Sequence, residues 1–173
     1  MTSNTMIGTG FLWCLLSGVI WASDGTDGVL TQLHADDLTV VQAGEKIYRM
    51  HCAACHGQYL EGQPDWRKRD ENGYLPAPPH DASGHTWHHS DDLLFEITKY
   101  GPSVVINDTA YKTLMPVYNG ILSDDDIVAV LSYIKNSWPA EERAWQESVN
   151  GTQLDGIQEL PKKKSTFLDK LLK

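Results

Sequence analysis

Two cysteines and a histidine stand together in the stretch Cys52-Ala53-Ala54-Cys55-His56, which matches the pattern Cys-x-x-Cys-His. Thiols three positions apart lie on one face of a helical turn, where each can add to one vinyl group of the same haem edge. His56 follows at once and can offer a ring nitrogen to the iron. A zinc site would need a second Cys or His pair at regular spacing, and a thioredoxin-like dithiol would need a βαβ pattern. No second Cys pair exists and no βαβ pattern is visible, so the motif predicts covalent attachment of haem c.

The sixth position of the iron decides the chemistry of such a haem. A Met ligand gives an electron carrier, whereas an open position permits ligand binding or peroxide chemistry. Met115 is the best candidate, because it follows His56 by 59 residues in an irregular loop that Pro116 stiffens. Met50 is too close to the attachment turn to reach the opposite haem face. Bis-His ligation is the rival interpretation, and its candidate ligands are His85, His88 and His89.

The helices that must position these residues are predicted from apolar spacing and from end signals. The first ends directly before the motif, and Gly44 within it indicates close approach of another helix. Ser90 starts the second helix, and Ser123 is a good N-cap for the third. A short fourth helix is expected beyond Pro139. No strand series is visible, so the fold class is all-α, with helices over about 39–51, 90–100, 123–138 and 141–149.

The region from about Thr39 to Trp138 resembles a monohaem class I cytochrome c. The resemblance rests on the helix with Gly44 and Tyr48, on Cys52-x-x-Cys55-His56-Gly57, on Leu114-Met115-Pro116, and on the helix bearing Leu131, Tyr133 and Ile134. It implies a cytochrome c-like fold of about 3–5 helices wrapped around one covalently attached haem. It also implies thioether bonds at Cys52 and Cys55, with His56 as the proximal iron ligand and Met115 as the distal one.

The resemblance implies two further features. The first and last helices of that family cross near perpendicular, with a glycine and an aromatic residue at the contact, which would explain Gly44. The family often orients the proximal imidazole with a proline carbonyl, and that bond sets the basicity of the ligand. In this chain the run Pro76-Ala77-Pro78-Pro79 contains the candidates. The chain departs from the family in a long His- and Pro-rich insert and in a Lys-rich tail.

The chain begins with an apolar run from Ile7 to Ala22, which is short for a bilayer span of about 20 residues. It is predicted to be a signal peptide over residues 1–22, with an uncleaved anchor as the alternative. Either form exports the protein and predicts a periplasmic location, in agreement with covalent haem attachment, which requires an export-side compartment in bacteria. The organisation that follows is a linker, a cytochrome c domain and a C-terminal extension, over 23–38, 39–138 and 139–173.

Charge is distributed unevenly along the chain. The formal net charge is −9, and the end from Leu160 onward has five lysines and one aspartate, a net +4, which leaves −13 for the rest. A body this acidic argues against a nucleic-acid partner and favours a basic patch on a redox protein. Residues 161–173 place Phe167, Leu168, Leu171 and Leu172 on one helical face among lysines. That pattern fits weak membrane-surface contact or partner docking, and a frayed tail is the simpler alternative.

Together these features predict an electron-transfer protein that carries one electron on a His/Met-ligated c-type haem between redox partners. It is not predicted to be an enzyme, because no general base, nucleophile constellation or substrate pocket can be identified from the sequence. Two alternatives stay open. One is a haem enzyme with an open distal site, or an electron-input subunit of an oxidoreductase complex. The other is a metal-binding module that uses His80, His85, His88 and His89.

Overall fold

The computed structural model describes residues 31–155, with side chains through residue 151. This part of the chain contains no strand, and it forms α1 (Leu38–His51), α2 (Ala53–His56), a 3₁₀ turn (Thr86–His88), α3 (Asp91–Tyr100), α4 (Pro102–Val105), α5 (Asp124–Asn136) and α6 (Ala140–Asp155). The all-α prediction is confirmed. Within the described residues, the two helices beyond the four predicted are α2 and α4, each a single turn of four residues. The predicted signal peptide and the tail at 161–173 lie outside the described residues.

The three longer helices of the predicted domain begin at side chains that satisfy free backbone N–H groups. Asp37 accepts from the N–H groups of Thr39 and Val40 at the start of α1. Ser90 caps α3, and Ser123 caps α5 in a capping box that Asp126 completes. Such a cap contributes about 1 kcal/mol to helix stability. Within residues 31–155, no helix combines the length and the apolarity that crossing a bilayer requires.

Helices α1 and α5 make the most extensive pairing of elements within the described residues. A Cβ at Gly44 would overlap the main-chain carbonyl of Ala129, so only glycine permits this approach of the two helices. The i, i+3, i+4, i+7 spacing of Ile127, Val130, Leu131 and Ile134 predicts an apolar stripe on α5, and all four residues are buried. Helical spacing predicts that the inward face of α1 consists of Val40, Gly44, Ile47, Tyr48 and His51. This is partly wrong, because Val41 is buried while Val40 is half-buried and His51 is exposed. The helix is thus turned slightly from the predicted orientation, and Gly44 and Tyr48 remain on its buried face.

Chain segments on both sides of the predicted domain pack onto it. Leu33, in the segment predicted as a linker, is buried, and its N–H donates to the Asp91 carboxylate at 3.0 Å. Lys135 is buried beside the same carboxylate and forms an ion pair with Glu147 at 2.5 Å. Gln146 on α6 is fully buried and donates its amide N–H to Asp91. Helix α6 is longer than predicted, and this buried polar network joins it to α3 and α5.

Candidate haem-binding site

The attachment motif forms the junction of α1 and α2. Cys52 ends α1, where its N–H donates to the Tyr48 carbonyl, and its own carbonyl accepts the N–H of His56 at 2.9 Å. Both motif cysteines are free thiols, Cys52 half-buried and Cys55 exposed. Burial, together with the neighbouring Cys55, raises the pKa of the Cys52 thiol to about 11. Cys52 and Cys55 stand one helical turn apart and form no disulfide with each other, as attachment of both to one haem edge requires.

The His56 ring is oriented by a main-chain carbonyl on the other side of the loop. The side chain is only 8% exposed, and its Nδ1 lies 2.9 Å from the carbonyl oxygen of Pro78. A carbonyl can only accept, so Nδ1 carries the proton and Nε2 keeps its lone pair for a metal. Burial lowers the pKa of His56, and the Pro78 bond partly opposes that shift. Of the four residues in the proline-rich run, Pro78 supplies the orienting carbonyl.

The Pro78 carbonyl is held in place by the loop that follows the motif. Gly62 donates its N–H to the His56 carbonyl at 2.8 Å and lies directly against the main chain of Pro78 and Pro79. With φ at +67°, Gly62 adopts a conformation that favours glycine, and a Cβ there would overlap the Pro78–Pro79 peptide. The Tyr48 hydroxyl donates to the Gly57 carbonyl at 2.9 Å and closes the loop onto α1. The His56 ring, the Pro78 carbonyl and this loop form one packed unit.

A second histidine ring packs against His56, and sequence analysis missed it. The His80 ring stacks on His56 with centroids 4.0 Å apart and planes 21° apart. Its Nδ1 lies 2.9 Å from the Thr86 hydroxyl, and its carbonyl accepts the Trp138 indole N–H at 2.7 Å. Burial lowers the pKa of His80 well below its ordinary value, so the ring is neutral. Its position directly after Pro79 was the one signal that could have identified it.

Met115 lies half-buried in the loop between α4 and α5, three residues before an anchored tyrosine. The Tyr118 hydroxyl donates to the carbonyl of His51 at 2.6 Å, and His51 is the residue before Cys52. Three residues span at most about 10 Å, so this bond keeps Met115 near the attachment turn. The Met115 N–H donates to the Thr113 hydroxyl at 3.0 Å. Nothing in the sequence around Tyr118 identified this contact, because its partner is 67 residues away.

The His-rich stretch does not assemble a metal site within residues 31–155. No group of three or more His, Cys, Asp or Glu side chains in this part of the chain can hold a metal ion. The histidines pack against aromatic rings instead. His85 stacks on Trp66 with centroids 5.2 Å apart, and His88 stacks on Trp87 with centroids 3.7 Å apart. The alternative of a His-rich metal-binding module therefore gains no support from the described residues.

The residues of the attachment turn suit a covalently bound haem. They supply two free thiols on neighbouring turns and a neutral imidazole whose Nε2 lone pair is available to iron. With its all-α fold, this donor set defines a c-type cytochrome of class I. A family model for cytochrome c matches residues 41–138, which is more than half of the 173-residue chain. The chain belongs to the cytochrome c family, and it carries a covalently attached haem c with its iron. No curated protein and no solved structure matches it.

Proposed function

We propose that this haem-c electron carrier is an exported, periplasmic protein whose iron is ligated by His56 and Met115, with Cys52 and Cys55 as the thioether residues. The observation that carries the proposal is the His56–Pro78 hydrogen bond of 2.9 Å, because it leaves Nε2 as the one ring nitrogen available to iron. The haem iron supplies a reversible one-electron change. The apolar run Ile7–Ala22 supports export.

The protein residues orient the proposed ligands. Pro78 and His80 hold the His56 ring in one position, so the ligand need not rearrange when the charge on the iron changes. The bond from Tyr118 to His51 ties the distal loop to the attachment turn. Ligation of the iron by His56 and Met115 in both oxidation states would keep the reorganisation small, as an electron carrier requires.

The acidic body supports a redox partner with a basic docking surface. Residues before Leu160 carry a net −13, since the tail carries +4 of the total −9. Exposed carboxylates at Asp124 and Asp125 stand at the start of α5. Complementary charge speeds the encounter of two proteins, and salt weakens this effect. We therefore expect the rate of electron exchange with a basic partner to fall as ionic strength rises.

Replacing Met115 tests the proposed ligation. Met115→Ala should abolish the weak red charge-transfer band of Met–iron ligation in the ferric spectrum. It should also lower the reduction potential by a measurable part of the roughly 0.8 V range that axial ligands span. Met50→Ala is the matched control, because Met50 is 69% exposed and lies beside the attachment turn. It should leave both the band and the potential unchanged.

Two results would contradict the proposal. If Met115→Ala keeps the band and the potential of the wild type, Met115 is not a ligand. If the wild-type ferric protein is high-spin and binds peroxide rapidly, the distal position is open and an enzymatic role is favoured instead. Spectra and redox titrations of the purified holoprotein distinguish these cases.

A further inference from the structure

A groove of about 410 Å³ lies between the 3₁₀ turn and the first half of α6. Its floor is aromatic: the rings of Trp87 and Trp145 meet at 88° with centroids 6.5 Å apart. Trp145 is 53% exposed, although an indole is among the side chains that gain most from burial. Glu141 and Glu142 line the same groove. The surface is thus apolar at its base and acidic at one end.

This combination suits an amphipathic segment with basic residues. Indole faces attract bulky apolar side chains and cations, and carboxylates at the edge attract lysine. Glu141 and Glu142 also lie in the first turn of α6, where negative charge stabilises the helix. That local role accounts for the charges but not for an exposed tryptophan directly beside them. An occupant that covers Trp145 accounts for both features.

The chain itself contains a segment with the complementary pattern. Residues 161–173 contain five lysines, one aspartate and four bulky apolar residues, Phe167, Leu168, Leu171 and Leu172. The groove presents the complementary groups, two carboxylates beside two indoles. The net charge of the segment is +4 and that of the rest of the chain is −13, which together give the total of −9. Charge and apolar character therefore match at both ends of the contact.

The segment is long enough to reach the groove. Helix α6 ends at Asp155, and its residues from Glu141 to Ser148 line the groove. At 1.5 Å per residue, those positions lie about 10 to 21 Å back along the helix axis. The six residues 156–161 span up to about 20 Å when extended. The lysines at 162–164 can therefore stand beside Glu141 and Glu142, with Phe167 beyond them.

We propose that residues 161–173 bind in cis to this groove, with lysines against Glu141 and Glu142 and with Phe167 and Leu171 against the indoles of Trp87 and Trp145. Attachment to the same chain gives the segment a high effective concentration at the groove, so a weak contact suffices to hold it there. The contact does not involve the haem ligands, and so its test is independent of the proposed ligation.

Carbodiimide cross-linking of the full-length holoprotein, followed by peptide mapping, tests the contact. We expect intramolecular links from Lys162, Lys163 or Lys164 to Glu141 and Glu142. Glu71 and Glu96, which are also exposed, are internal controls and should give far fewer links. Trp145→Ala should lower the yield about tenfold, as expected when an aromatic anchor is removed. Tyr59→Ala, at another exposed aromatic, should leave it unchanged.

A second variant keeps the test decisive if Trp145→Ala disturbs folding. Phe167→Ser with Leu171→Ser changes only the tail, and it should reduce the links to the level of the Glu71 and Glu96 controls. Equal linking to all four glutamates, or links unaffected by the tail substitutions, would overturn the proposal. Links found only between two molecules would also overturn it, and would favour binding in trans. So would tail-dependent binding to anionic vesicles without any links, which would favour membrane contact.

Discussion

His56 and Met115, the two proposed iron ligands, differ in how much of the fold holds them. His56 is buried, hydrogen-bonded to Pro78 and stacked on His80. Pro78 in turn packs against Gly62, and His80 contacts Thr86 and Trp138. Met115 lies half-buried beside Leu114, which is 74% exposed, and its N–H bond reaches only to Thr113. The bond from Lys112 to the Asn72 carbonyl, which crosses to another loop, is exposed to solvent.

This difference indicates that the fold itself positions the proximal side of the site more firmly than the distal side. The protein positions the proximal ring through packing that does not need the iron. The distal loop is anchored at Tyr118, three residues after Met115, so under the proposed ligation the position of Met115 would depend more on its bond to the iron. We therefore expect substitutions on the proximal side to cost folding stability, and substitutions in the distal loop to change how easily Met115 is displaced.

The largest effect is expected at Gly62, because a Cβ there overlaps the Pro78–Pro79 peptide at positive φ. Gly62→Ala should lower the free energy of unfolding by about 3–5 kcal/mol, measured by urea denaturation of the holoprotein. Gly120→Ala is the matched control, since Gly120 also has positive φ but a Cβ there meets nothing within 4 Å. It should cost about 1 kcal/mol. Equal costs at the two positions would show that steric packing at Pro78 does not matter.

The next effect is a pH dependence at His89, which follows the 3₁₀ turn. Burial, with His85 and His88 nearby, lowers the pKa of His89 to about 4. Between the ordinary value of about 6.5 and pH 4, the unfolded chain binds a proton that the folded chain does not. Stability is therefore complete above pH 6.5 and falls as the pH drops, by about 3 kcal/mol at pH 4 from this group.

Urea denaturation from pH 7 to pH 4 measures this dependence. His89→Gln removes the titrating group, so the variant should lose less stability on acidification than the wild type. His34→Gln, at an exposed position, is the matched control and should follow the wild type. Parallel curves for the wild type and His89→Gln would show that His89 does not stay neutral in the fold.

A smaller effect is expected from the contact between His80 and Thr86. His80→Leu keeps the bulk of the side chain but removes its bond to the Thr86 hydroxyl, and should cost about 1–2 kcal/mol of stability. Thr86→Val removes the same bond from the other side. The double variant should cost less than the sum of the two single ones, because the bond that they share can be lost only once. Each single variant also loses a contact of its own, the stack of His80 on His56 or the bond from Thr86 to the Pro79 carbonyl. Strictly additive costs in urea denaturation would show that the two side chains act separately.

The smallest effect is expected in the distal loop. Thr113→Val removes the acceptor of the Met115 N–H, so imidazole should displace Met115 from the iron of the ferric protein more easily. A hydrogen bond worth about 1 kcal/mol corresponds to roughly fivefold tighter binding of imidazole. Thr109→Val, in the same loop, should leave the affinity unchanged. Spectroscopic titration measures both. If His80→Leu raises the imidazole affinity more than Thr113→Val does, the proposed difference between the two sides is wrong.

Much of the helical frame was predictable because its signals are local. The caps at Ser90 and Ser123 and the apolar stripe of α5 lie within a few residues of the helices that they specify. Gly44 indicated a close helix contact correctly, and the partner proved to be Ala129 on α5. The face of α1 was less accurate, because Val40 and Val41 are both apolar and only the position of α5 decides between them.

The surroundings of the ligands were less predictable because their contacts join distant parts of the chain. Nothing local distinguishes the carbonyl of Pro78 from those of its neighbours in the proline-rich run. The Leu33 N–H donates to Asp91, 58 residues away, and the His80 carbonyl accepts from Trp138 at the same separation. Asp91 lies in the first turn of α3, whereas Trp138 lies in the short connection between α5 and α6. Such pairings appear only when the helices have packed.

The sequence by itself determined the chemistry of this protein: the Cys52–His56 motif specifies a covalent haem, because thiol spacing and the adjacent imidazole are properties of one helical turn. It also determined the helices that surround the motif. The tertiary structure alone decided that Pro78 orients the ring, that His80 packs against it and that Tyr118 ties the distal loop to the attachment turn. The physical reason is that a hydrogen bond or a ring stack between distant segments exists only once the fold has brought both groups together and excluded water from them.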